Sequence, residues 1–179
     1  MIHMEGLLPR YRFLPMLGAL LLVVGCGGAV PTETERRTEQ KTAGYKQVMR
    51  VAAVTASGGD LISAVNLYRR AHKMDPTATA PLLRLGAGLA YLKDNQGAAG
   101  AYRQAVQLDG GNVEARLGLG KALINTGSYD LAITEYKMAL AIDSENINAY
   151  NGLGVAFNLT GDHQSAENNY LDGLGSGLN

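Results

Sequence analysis

The chain has 179 residues, enough for one ordinary domain, and Lys plus Arg balance Asp plus Glu at 16 each. That balance leaves no basic patch for nucleic acid and no acidic field for cationic partners. Trp is absent, aromatic surface comes almost wholly from Tyr, and Ala, Leu and Gly are abundant, so closely packed helices are expected rather than a β-sandwich; the single cysteine, Cys26, excludes an intrachain disulfide.

The first 25 residues read as a signal peptide. Arg10 and Arg12 supply a positive n-region, and the apolar run from Phe13 to Val24 is interrupted only by Pro15 and Gly18. A bilayer-spanning helix needs roughly 20 apolar residues, so this run is too short to cross. It ends in Val23-Val24-Gly25-Cys26. Small residues before a cysteine directly after an h-region resemble the bacterial lipobox. The resemblance implies lipidation of Cys26, with cleavage leaving it as a fatty-acylated N-terminus (a palmitate-type anchor). The alternative is an ordinary secretory signal with an incidental cysteine. Several acyl chains exceed the two-signal threshold for stable anchoring. Gly27, in place of the Asp associated with inner-membrane retention, points to the outer membrane, with a Gram-negative source assumed. Residues 26–44 form the lipidated start and a polar stretch without apolar periodicity, expected to be a disordered tether.

From residue 45 onward a period of 34 runs through the chain. Alanine recurs at Ala64, Ala98, Ala132 and Ala166; tyrosine at Tyr68, Tyr102, Tyr136 and Tyr170; a small residue at Ala71, Ala105, Ala139 and Gly173; and another at Ala52, Gly86, Gly120 and Gly154. Four units follow: 45–78, 79–112, 113–146 and a partial 147–179. The recurring residues resemble those of a helix-pair repeat, the tetratricopeptide repeat, and that resemblance implies two antiparallel helices per unit, A and B, that approach closely at the small residues, with Tyr filling space against the next unit. Leu82, Leu85, Leu89, Leu119, Leu123, Leu153 and Phe157 give the A helices an i, i+3, i+4 apolar stripe. Asp60, Ser128 and Asp162 are expected to cap B helices, and Thr79, Asn112 and Asn146 to cap A helices. Lys93 stands where the other A–B loops carry Gly. In the fourth unit the B helix runs into Gly173, Gly175 and Gly177 with no polar capping helix after it. Either a partner covers that face or the chain is shortened. The periodic pattern resembles the tetratricopeptide repeat (TPR), so the expected fold class is all-α, a TPR α-solenoid of about four helix-turn-helix units.

No catalytic constellation stands out. His72 and His163 lie far apart, read as exposed helix residues, and have no clustered second ligand, so no metal, cofactor or small-molecule substrate is expected. The pairs Gly86/Gly88, Gly118/Gly120 and Gly152/Gly154 lack the third glycine and preceding strand of a dinucleotide fingerprint; in register with the repeat, they read as packing glycines.

The TPR resemblance implies an inner groove lined by positions 2, 5, 9, 12 and 13 of the A helices. Candidate partner-binding residues are therefore Met49, Leu83, Ala87, Tyr91, Leu117, Lys121, Ile124, Asn151, Val155 and Asn158. A mostly apolar groove should accept an amphipathic helix or an extended apolar segment. In layout, and in the run Asn148 to Leu174 with its Asn151-Gly152-Leu153-Gly154, Gly161-Asp162-His163 and Ala166-Glu167-Asn168-Asn169-Tyr170 segments, the chain resembles the TadD-like lipoproteins of the tight-adherence (Flp) pilus system. That resemblance implies an outer-membrane adaptor, not an enzyme, whose partner is a secretin or another pilus-assembly component. A type IV pilus pilotin, a generic envelope adaptor and a regulator of a peptidoglycan enzyme remain open.

Overall fold

The structure, a computed structural model, describes residues 30–176; the signal peptide and Cys26 lie outside the described residues. Eight helices follow one another, with no strand among the described residues: α1 (Glu33–Ser57), α2 (Leu61–Met74), α3 (Ala80–Tyr91), α4 (Asn95–Leu108), α5 (Val113–Asn125), α6 (Tyr129–Ile142), α7 (Ile147–Thr160) and α8 (His163–Ser176). Each helix packs on its sequence neighbours, and the A helices α3, α5 and α7 also touch in turn, which is the arrangement of a solenoid of helix pairs. The all-α TPR-like expectation therefore holds. Among the described residues no helix is long and apolar enough to cross a membrane.

Close approach within each pair follows from the small residues. Ala64, Ala98, Ala132 and Ala166 are at most 1% exposed, and Ala71, Ala105 and Ala139 are fully buried. The leucine stripe of the A helices is buried as well, while Phe157 is half-buried with the Lys137 ammonium 5.6 Å from its ring centroid. Most expected caps are made. Asp60, Asn112, Asn146 and Asp162 accept from the backbone N–H three residues on, at 2.9–3.1 Å. Thr79 and Ser128 occupy N-cap positions without a side-chain capping bond.

One boundary is corrected. The expected tether does not reach residue 44, because α1 is helical from Glu33. Thr32 and Glu35 form a capping box there, and adding turns to a helix already anchored by packing at Ala52 avoids the cost of a new nucleus. The added turns have no core: residues 30–43 are exposed throughout.

The A–B loops need a left-handed residue. Gly59, Gly127 and Gly161 supply it at φ 89°, 77° and 87°, and Lys93 is forced to φ 66° in the second unit. A side chain there costs roughly 1–2 kcal/mol. Lys93→Gly is thus expected to stabilise the array by about 1 kcal/mol, raising Tm by roughly 2–4 °C in thermal unfolding followed by circular dichroism. An unchanged or lowered Tm would show that this loop is not strained.

Candidate functional site: a trough along the inner face

The inner face is built around two tyrosine rings clamped between glycines. A Cβ at Gly86 would fall 2.8 Å from the Tyr102 ring, and one at Gly118 2.4 Å from it. Tyr136 is held the same way, with a Cβ at Gly120 falling 2.8 Å and at Gly152 2.3 Å from its ring. Each ring thus leaves its own B helix and wedges between consecutive A helices, which settles the glycine pairs as packing devices. Tyr102 and Tyr136 are under 10% exposed yet line the floor of an open cavity of about 810 Å³ between units 2 and 4. Burial pushes the Tyr136 phenol up to about 12. The Tyr102 phenol is raised by burial and by the Glu114 carboxylate, with Arg84 opposing. Both rings therefore present a neutral floor near neutral pH.

Leu117, Lys121, Ile124, Asn151 and Val155 line this cavity. Ala87 and Tyr91 line two further cavities, of about 600 and 370 Å³, towards units 1 and 2. Counted from unit 1, shared walls join all three sections: Ala87 and Tyr91 belong to the first (about 600 Å³) and second (about 370 Å³), and Lys121 and Asn125 to the second and third (about 810 Å³). The result is one continuous trough from Ala53 to Val155.

Three expected groove residues lie elsewhere. Leu83 is 9% exposed and belongs to the core, and Met49 is half-buried against that core, so apolar packing between helices takes up both side chains. Asn158 lines none of the three cavities; its amide donates to the Tyr170 hydroxyl at 3.4 Å and its oxygen faces His163 Nδ1 at 3.0 Å. Leu117 and Ile124 line the trough but also pack on the core.

The trough adds residues outside the candidate set. Glu114 and Asn148 are at frame position 2, Asn125 is at position 13, and Arg84 sits at position 6, where the next two units have Gly118 and Gly152. The first three were legible from the frame itself. Arg84 was not, since the inner-groove positions of the repeat do not include position 6 and the next two units carry glycine there. Asn148 and Asn151 make no side-chain hydrogen bond among the described residues, so their amides are available to a ligand.

Polar groups elsewhere are structural. Arg116, 8% exposed, donates from Nη1 to Glu135 at 2.9 Å and from Nε and Nη2 to the Gly110 carbonyl at 3.0 and 2.7 Å, pinning the α4–α5 loop to α6. His163 is exposed as expected, but His72 is half-buried with a buried Nδ1. No metal-holding group of His, Cys, Asp or Glu occurs among the described residues.

Residues 121–161 match the family model described as TPR repeat. No curated protein matches the chain. Among solved structures the fold is similar to a crystal structure of MamA, with a TM-score of 0.71 at 20% identity over 81% of this chain and 86% of that one. A MamA structure from Desulfovibrio magneticus RS-1 gives 0.71 at 21% identity over 81% of both chains, and one of MamA MSR-1 gives 0.68 at 18% identity over 75% and 77%. At these identities the likeness speaks for the fold.

Proposed function

We propose that the chain is an outer-membrane-anchored TPR adaptor that binds a protein partner in its inner trough and assists assembly of a cell-envelope machine, acting like a pilotin for the secretin of a tight-adherence (Flp) pilus. The observation that carries the binding half is the trough itself. Tyr91 is 75% and Val155 42% exposed inside a continuous concavity that also offers the unbonded amides of Asn148 and Asn151. Contiguous apolar surface with a few placed polar groups is the signature of a recognition site rather than of a solvated face. Helix-pair arrays present such concave surfaces to partner segments. The anchoring half rests on Val23-Val24-Gly25-Cys26 after the apolar run, and the pilus assignment on the TadD-like layout. A lipid-held adaptor of this kind works by local concentration, keeping its partner at the membrane face where assembly occurs.

Cys26→Ser tests this reading in cells. The variant is expected to lose its acyl mass and its outer-membrane fractionation, and the tight-adherence secretin should fail to reach the outer membrane. An unmodified Cys26 in the wild-type protein, read by mass spectrometry, would refute the anchor. Normal secretin placement in the unlipidated variant would refute the pilotin role.

A further inference from the structure

The charges along the trough are unevenly placed. Arg84 lines its first section and Lys121 its second and third, and neither has an ion-pair partner among the described residues. Tyr91, exposed between them, lines the two sections that Arg84 and Lys121 respectively enter. The trough carboxylates, Glu114 and Asp143, both line the section between units 2 and 4, and Asp143 already accepts from the Asn146 amide at 2.8 Å. So the two sections around Tyr91 carry Arg84, Lys93 and Lys121 and no carboxylate, and they give way to a section where Lys121 shares the wall with both acids. Around Tyr91 the wall is cut back to Ala53, Ala56, Ala87 and Gly88, which leaves width for a peptide backbone with its side chains.

From this we infer that the trough takes an acidic–apolar polypeptide segment of a partner protein, with a carboxylate side chain between Arg84 and Lys121 and a neighbouring apolar side chain against Tyr91. The inference rests on the trough being the partner site and names the chemistry it reads. A carboxylate there meets two cations that no salt bridge holds, while a basic segment would meet repulsion at the same place, so the arrangement selects by charge as well as by shape. Because the whole chain is balanced at 16 charges of each sign, the attraction is local, and at these exposed positions it should weaken with salt. Asn148 and Asn151 then meet the backbone of the continuing segment.

The test is a phage-displayed library of random 12-residue peptides selected on the full chain in detergent, with the recovered peptides labelled by fluorescein and titrated by anisotropy. Recovered sequences should pair Asp or Glu with nearby Leu, Ile or Phe. Arg84→Glu with Lys121→Glu should weaken them by about tenfold or more and reverse the salt dependence, since salt then screens a repulsion. Both positions are exposed, and helicity by circular dichroism checks that the variant folds. Peptides lost on Val155→Glu yet basic or neutral, and indifferent to the charge reversal, would overturn the charge assignment and leave the trough reading standing. If no recovered peptide is sensitive to Val155→Glu or Tyr91→Ser, the trough reading falls too. Concentration-dependent mass in light scattering that Tyr91→Ser abolishes would assign the site to a second copy of this chain and overturn the inference.

Discussion

Gly152→Ala is expected to destabilise the array by about 1–2 kcal/mol, while Gly100→Ala is expected to stabilise it by up to about 1 kcal/mol. Both glycines lie inside helices, α7 and α4, so helix propensity alone predicts the same gain of about 1 kcal/mol at each. Packing separates them. Nothing lies within 4 Å of a Cβ at Gly100, whereas a Cβ at Gly152 meets the Tyr136 ring at 2.3 Å. The ring cannot retreat, because Gly120 holds its opposite side with a clearance that would put a Cβ at 2.8 Å. Overpacking a clamped ring costs typically 1–3 kcal/mol and outweighs the propensity gain. Thermal unfolding should therefore show Tm falling for Gly152→Ala and rising for Gly100→Ala. A rise in both would mean that Tyr136 is free to move and that the glycine register is not what joins the third and fourth units.

The same register explains what the sequence could and could not disclose. The 34-residue period placed every helix pair, because Ala98 or Ala132 can be buried at a helix crossing only if the frame is right. Capping was legible where Asp or Asn precedes a helix, and less so at Thr79 and Ser128, whose hydroxyls do not reach the backbone in the loop geometry adopted. The start of α1 was hidden by composition. A polar run without apolar periodicity reads as a tether, yet continuity with a packed helix and the Thr32–Glu35 capping box extend it. In the trough, Leu83 shows the limit of frame positions. Position 5 lines the trough at Leu117 but is buried in the core at Leu83, and a periodic pattern of like residues carries no information that separates the two environments. Arg116 was missed for a related reason. Its partners, Glu135 and the Gly110 carbonyl, are brought together only by the fold.

Leu83 also changes which substitutions probe function. A carboxylate at Leu83 would be buried in the core and report on stability rather than binding. Tyr91 and Val155, both exposed, wall the trough without supporting the core. Tyr91→Ser with Val155→Glu is therefore expected to leave helicity and Tm within about 1 kcal/mol of wild type, since exposed substitutions away from special features are usually small in effect. Partner binding should be lost. It forfeits an aromatic anchor and must leave a carboxylate desolvated opposite an apolar contact, a combined penalty of several kcal/mol, or a hundredfold or more in affinity by order of magnitude. The decisive measurement is quantitative co-purification from detergent-solubilised envelopes, comparing wild type with this double variant at equal expression and lipidation. The secretin, or another component of the same assembly, should be recovered with wild type and absent from the folded double variant. Equal recovery of the same partner with both proteins would contradict a function seated in the trough.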